Sequence, residues 1–121
     1  MIPKFRAWDK FEKEMLNVHG INYDADGVWT KEVFDEEDTG DFIHFSDIEL
    51  LQSTGLKDIN GTEIFEGDIL KFRDEYRVVE MQDGAWIART GEKRLIVKMV
   101  VFSGTEVIGN RFEHPHLLGE D

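Results

Sequence analysis

The chain has 121 residues, a formal net charge of −12 and no cysteine. This acidity argues against a protein that binds duplex nucleic acid, because such binding gains from lysine and arginine side chains that displace counterions from phosphates. The absence of cysteine excludes a disulfide scaffold, a thiolate zinc site and a cysteine nucleophile.

The first third of the chain is predicted to form short strands separated by polar turns. Lys4–Asp9 and Met15–Tyr23 have the pattern of a hairpin with a charged connection, and Gly27–Phe34 has the pattern of the next strand. The run Asp35–Asp41 holds five acids in seven residues, which is typical of a solvated loop. Phe42–Phe45 then returns to apolar character.

The segment Ser46–Gly55 can be read in two ways. Ser46 and Glu49 have the spacing of a capping box at the start of a helix. The apolar residues that follow form only a weak helical stripe, so we expect extended structure. Next, "KDING" (Lys57–Gly61) is predicted to be a hairpin turn, and Gly67 a bend that leads into a barrel.

The second half of the chain predicts a small barrel. Asp83-Gly84 is a strong signal for a two-residue hairpin, because a type I′ turn needs positive φ at both residues. The valine and isoleucine content of Arg94–Phe102 favours a strand covered on both faces, and another subunit could supply one cover. Short strands joined by tight turns predict closure into a barrel. The predicted strands are Asp68–Arg73, Tyr76–Gln82, Ala85–Arg89, Arg94–Phe102 and Thr105–Phe112.

Two segments have the outline of metal sites. Asn22, Asp24, Asp26 and Gly27 fit the first half of a calcium-binding EF-hand loop, but position 12 is Val33, so we predict a simple β-turn over residues 24–27. His114 and His116 would share one face of an extended strand, which permits a two-histidine site. We expect instead a terminal tail that docks through Leu117 and Leu118.

Catalytic signatures are missing from the sequence. It has no nucleophile elbow, P-loop or dinucleotide-binding fingerprint. His19 and His44 are expected to be packed or surface residues and not general bases. We therefore expect a protein that is not an enzyme and uses no cofactor or metal.

Aromatic side chains in the predicted barrel have two interpretations. Phe72, Tyr76 and Trp86 could form a platform for single-stranded nucleic acid or a peptide. A barrel of this size needs large side chains in its interior, which favours a place in the core.

Three blocks of sequence resemble the YopX-like proteins of phages and prophages. They are "FRAWDK", "LQSTGLKDINGTEIFEGDI" and "VIGNRFEHPHLL", and they occur in the order of that family from Phe5 to Leu118. The resemblance implies an SH3-type barrel and no established activity, so it carries over no catalytic residues. His114 and His116 stand where the family more often has Asn and Glu, which argues against a shared metal role.

Together these features predict a mainly β protein in which an N-terminal β-rich extension (residues 1–60) packs on an SH3-type barrel and tail (residues 61–121). We expect a cytoplasmic protein of a bacterial host, since no apolar run has the length of a membrane span and no signal peptide is recognisable. The expected function is non-enzymatic protein interaction or self-association. The alternatives are mimicry of nucleic acid by the acidic loop and single-strand binding by the barrel. The candidate interaction residues are Asp35, Glu36, Glu37, Asp38, Asp41 and Trp86.

Overall fold

The computed structural model describes residues 4–30 and 42–119. The chain divides into two compact units, Met1–Gln52 and Ser53–Asp121. Short strands joined by tight turns dominate both units, which confirms the predicted mainly β class.

Unit 1 contains two small antiparallel arrangements. Strands β1 (Phe5–Asp9) and β2 (Glu14–Asn17) form the predicted hairpin, although its second strand ends before residue 18. Strands β3 (Gly20–Asn22), β4 (Gly27–Trp29) and β5 (Phe42–His44) form a three-stranded meander. The remainder of the strand predicted over Gly27–Phe34 extends beyond the described residues. The buried residues of this unit's core cluster are Ala7, Val28 and Ile48.

The segment after β5 is extended, as predicted. A 3₁₀ turn at Phe45–Asp47 leads into strand β6 (Ile48–Lys57), and no helix follows Ser46. The first half of β6 pairs with β1, and its second half pairs with β7 (Glu63–Phe65). The intervening "KDING" segment is the turn of this hairpin, which confirms that prediction.

Unit 2 is built on a five-stranded antiparallel sheet that curls into a half-barrel. This sheet occupies the part of the chain for which the sequence predicts an SH3-type barrel. Its order is β11-β10-β9-β8-β12, so β12, the last strand in the chain, pairs with β8, the first strand of this sheet in sequence. The Asp83-Gly84 turn has positive φ at both residues, 50° and 82°, as a type I′ turn requires. The strands are β8 (Asp68–Phe72), β9 (Glu75–Gln82), β10 (Ala85–Thr90), β11 (Lys93–Ile96) and β12 (Glu106–Asn110).

The prediction of one strand over Arg94–Phe102 is wrong. Strand β11 ends at Ile96, and Val97–Phe102 forms the helix α1, which packs on β10 and β11. Val97 and Val100 are both fully buried. Residues three apart share a face in a helix but lie on opposite faces of a strand, so the helix buries both valines in one core.

The core of unit 2 lies on the concave side of the half-barrel. Leu70 is buried there and Phe72 packs against the same cluster, as the alternation along β8 predicts. On the other side of the sheet, a terminal 3₁₀ turn (Pro115–Leu118) packs on β9, and Leu117 and Leu118 lie beside Val78. The predicted docking of this tail is confirmed. The buried cluster is formed by Ile64, Leu70, Val79, Ala88, Val97 and Val100.

Candidate functional site

Most buried polar side chains of the described residues stabilise turns. The carboxylate of Asp9 accepts hydrogen bonds from the backbone N–H groups of residues 11 and 12, and that of Asp68 accepts one from residue 65. The amide oxygen of Asn110 accepts hydrogen bonds from the N–H groups of residues 112 and 113. These side chains fall within the three sequence blocks that resemble the YopX-like family. Their role in turn geometry accounts for the presence of these three residues in the blocks.

Asp58 has the same role in the turn between β6 and β7. One carboxylate oxygen accepts hydrogen bonds from the N–H groups of Asn60 and Thr62, and the other accepts one from Val107 in β12. Burial alone would raise the pKa of Asp58, but the hydrogen bonds from Val107, Thr62 and Asn60 outweigh it and lower the pKa. The side chain therefore serves as a fixed carboxylate within the fold.

Arg77 differs from these buried turn residues because it is a buried cation. Its residue surface is only 4% exposed, and it projects from β9 on the concave side of the sheet. Nη1 donates to the carbonyl oxygens of Ala88 (3.0 Å) and Lys93 (3.4 Å), and Nη2 donates to Oε2 of Glu75 (2.7 Å). Nε is buried and has no acceptor among the described residues. A buried donor without an acceptor costs about 1–3 kcal/mol.

A cavity of about 360 Å³ lies next to Arg77, and we call it the Arg77 cavity. Phe72 and Leu95 supply apolar surface, since both also pack against the core cluster. The guanidinium carbons of Arg73 and Arg77 lie 5.1 and 5.8 Å from the centroid of the Phe72 ring. The cavity therefore combines cations with an aromatic surface. Its lining consists of Phe72, Arg73, Asp74, Glu75, Arg77, Lys93 and Leu95.

Glu75 is the internal counterion of this cavity. Its two oxygens lie 2.7 Å from Nη2 of Arg77 and 3.4 Å from Nζ of Lys93. Hydrogen bonds from Arg77 and then Lys93 lower the pKa of Glu75, so it is ionised near neutral pH. The exposed Arg73 has no carboxylate partner among the described residues. Glu75 thus pairs with two cations of the cavity, and Arg73 remains available to another carboxylate.

A second candidate surface comprises the end of β11 and the exposed side of α1. Ile96, Met99 and Phe102 are 53%, 61% and 84% exposed, which is unusual for three large apolar side chains within seven residues. Lys98 lies on the same side of the helix as Phe102, four residues later, and Arg94 shares a strand face with Ile96. We call these five residues the α1 face. Lys98 has no ion-pair partner in residues 4–30 and 42–119.

The predicted interaction residues are only partly within the described part of the chain. Asp35, Glu36, Glu37, Asp38 and Asp41 lie outside it, so their use as an interaction surface or a nucleic-acid mimic stays a prediction. Trp86 is half-buried and packs against the core cluster, together with Phe72.

The aromatic residues do not form one platform. Tyr76 is on the opposite face of the sheet from Phe72, because it neighbours Glu75, which pairs with Phe72. Trp86 and Phe72 are core-side residues, as expected for a small barrel. Single-strand binding stays a prediction that a salt-sensitive gel shift can test.

The segments with the outline of metal sites form turns. Residues 24–26 lie in the tight connection between β3 and β4, where Oδ1 of Asn22 accepts a hydrogen bond from the N–H of Ala25. Nδ1 of His114 accepts a hydrogen bond from the N–H of Asn110. Within the described ranges, no group of three or more His, Asp or Glu side chains is placed to hold a metal ion.

Sequence reasoning missed Arg77 and the α1 face for different reasons. Arg77 precedes Val79 by two residues in a strand, so the alternation that buries Val79 also directs Arg77 inward. The spacing of two residues between Arg77 and Val79 is therefore the sequence signal for a buried arginine. A strand over Arg94–Phe102 does not predict the α1 face, since the set of exposed residues depends on helical periodicity.

The fold and its sequence blocks agree with the comparisons to known proteins. The family described as "YopX protein" matches residues 4–119. A crystal structure of protein EF1440 from Enterococcus faecalis is 34% identical to this chain, covers 98% of it and 99% of its own length, and superposes with a TM-score of 0.72. No protein with a curated description matches the chain. None of the helices in the described ranges is long and apolar enough to span a membrane. Because the family model matches residues 4–119, which is nearly the whole length, the chain belongs to the YopX protein family.

Proposed function

We propose that the chain is a non-enzymatic accessory protein, encoded by a phage or prophage and located in the bacterial cytoplasm, that binds another protein through the α1 face. The exposure of Ile96, Met99 and Phe102 within seven residues is the observation that carries this proposal. Contiguous exposed apolar surface rimmed by polar residues is typical of interaction sites. The phage origin and the location rest on the family resemblance.

The surroundings of the α1 face specify the chemistry of the partner. The chain carries a net charge of −12, yet the charged residues of this face, Arg94 and Lys98, are both cations. A partner segment with acidic side chains beside apolar ones would bury Met99 and Phe102 and pair with these cations. A second copy of the chain fits less well, because two such faces would bring like charges together.

The absence of an enzymatic role is supported by how the buried polar residues are used. Asp9, Asp58, Asp68 and Asn110 accept hydrogen bonds from backbone groups, which leaves them poorly suited to proton transfer. Their contacts stabilise turns, and this use of the buried polar residues supports a role in binding.

A displayed library of short random peptides tests the proposal. The wild-type protein is used for selection, and the double variant Met99→Ser/Phe102→Ser for counter-selection. We expect enriched peptides that combine acidic and apolar residues, with NMR shift changes at residues 96–102. The matched control is Phe11→Ser, which removes a side chain that is 76% exposed and lies in the other unit, and which should leave peptide binding unchanged.

Three outcomes would contradict the proposal. Peptides that bind the double variant as well as the wild type would place the interaction elsewhere. Enrichment of basic peptides would contradict the role of Arg94 and Lys98. Light scattering that shows a wild-type dimer converted to a monomer by the double variant would make the face a self-association surface.

A further inference from the structure

The Arg77 cavity has features of a ligand site that the α1 face does not explain. The cavity is an open depression of about 360 Å³, which is within the range of small-molecule sites. Arg77 belongs to the core side of the sheet, whereas Ile96 and Arg94 pair with Ile87 and Arg89 on the other face. Ile96 and Arg94 therefore point away from the Arg77 cavity, and none of the five residues of the α1 face lines it.

The polar groups of the cavity indicate an anionic ligand. Arg77 is almost fully buried, and its Nε lacks an acceptor among the described residues. Arg73 adds an exposed guanidinium group on the same Phe72 ring. Guanidinium groups bind planar oxyanions through paired N–H donors, so the exposed Arg73 suits a carboxylate or a phosphate, and the positive charge of the buried Arg77 adds to the attraction.

The acidic residues of the cavity decide between these two oxyanions. Asp74 and Glu75 line the same space as the three cations Arg73, Arg77 and Lys93. This leaves a small excess of positive charge, which favours a monoanion over a phosphate that carries nearly two charges. Glu75 already shows that a carboxylate is accepted here, since Arg77 and Lys93 both bind it.

The apolar lining restricts the rest of the ligand. Phe72 and Leu95 face the cavity and are anchored in the core cluster, so their positions are fixed by packing. A flat apolar group can lie against them while its carboxylate reaches the arginines.

From these contacts we propose that the Arg77 cavity binds a small carboxylate ligand with a flat apolar body, held at its charged end by Arg73 with the charge of Arg77 nearby, and along its body by Phe72 and Leu95. The ligand class is an aromatic or similarly flat monocarboxylic acid. The proposal is independent of protein binding by the α1 face.

An NMR titration at pH 7 and constant ionic strength tests this assignment, with benzoate as the probe. We expect benzoate to shift the Nε–Hε signals of Arg73 and Arg77 and the amide signals of Glu75 and Lys93. The neutral analogue benzamide and inorganic phosphate serve as comparison probes, and both should bind more weakly than benzoate. Equal binding of benzamide, or tighter binding of phosphate, would overturn the proposal.

Variants locate the site and separate it from the α1 face. Arg73→Gln should weaken benzoate binding by about tenfold, since it removes a charge-assisted pair of hydrogen bonds. Arg94→Gln is the matched control, because Arg94 is equally a surface arginine but pairs with Arg89 on the other face of the sheet. The double variant Met99→Ser/Phe102→Ser should bind benzoate normally. Benzoate binding that is unchanged in Arg73→Gln would refute the site, whatever the outcome of the peptide selection.

Discussion

Asp58, in the turn between β6 and β7, accepts a hydrogen bond of 2.8 Å from the backbone N–H of Val107, which lies 49 residues later in β12. Its other oxygen accepts hydrogen bonds from Asn60 and Thr62 within the turn. One carboxylate thus shapes a local hairpin and also connects it to the edge strand of the half-barrel.

Replacement of Asp58 by alanine is expected to lower the free energy of unfolding by about 2–4 kcal/mol, because three backbone donors lose their acceptor at once. Chemical denaturation monitored by circular dichroism measures this change. Asp74→Ala is the matched control, since Asp74 is exposed and should change stability by less than about 0.5 kcal/mol. Similar values for the two variants would show that the contact with Val107 does not stabilise the fold.

The same carboxylate predicts a pH dependence of stability. The pKa of Asp58 in the folded chain is lowered from its ordinary value of 3.8, so the unfolded chain binds a proton at higher pH than the folded chain does. The contribution of Asp58 is therefore complete above about pH 4–5 and is lost as the pH falls through the lowered pKa.

Denaturation of the wild type and Asp58→Asn between pH 7 and pH 3 tests this sign. The difference in unfolding free energy between them should be constant above about pH 5 and should shrink below pH 4. The comparison cancels the general effect of discharging a chain of net charge −12, which acts on both proteins. A difference that grew on acidification would contradict the lowered pKa.

The turns of this fold could be predicted from sequence because their signals are local. Asp83-Gly84 requires positive φ at two adjacent residues, and Gly67 adopts φ of 87° at the bend before β8. A Cβ on Gly67 would also come within 3.1 Å of the Phe112 ring. Glycine tolerates positive φ and has no Cβ to collide with a neighbour, so its position in the sequence marks the turn directly.

The helix α1 and the Arg77 cavity depend on distant parts of the chain. Val97–Phe102 has β-branched residues that favour a strand, and only packing of Val97 and Val100 on one core makes the helix preferable. The carbonyl acceptors for Arg77 come from β10 and β11, which the sequence around residue 77 does not reveal. Local propensity therefore predicts neither the packing of α1 on the core nor the acceptors of Arg77.

The helical periodicity of α1 predicts a contrast between neighbouring residues. Val100→Ala should destabilise the chain by about 1–3 kcal/mol because it leaves a cavity beside a fully buried side chain. Met99→Ala should change stability by less than about 0.5 kcal/mol, since Met99 is 61% exposed. Thermal unfolding of both variants measures the contrast. Equal losses at the two positions would indicate burial on both sides of the segment, as in a covered strand.

Gly109 provides a test of the final turn, because a side chain there would collide with His114. A Cβ on Gly109 would lie 2.5 Å from Nδ1 of His114, and that nitrogen accepts the N–H of Asn110. Gly109→Ala is therefore expected to displace the imidazole and to cost about 1–3 kcal/mol by overpacking. A double-mutant cycle with His114→Ala measures the coupling, since the added methyl group should cost much less when the ring is absent. If Gly109→Ala were equally destabilising with and without the ring of His114, the loss would come from the backbone of β12 and not from this contact.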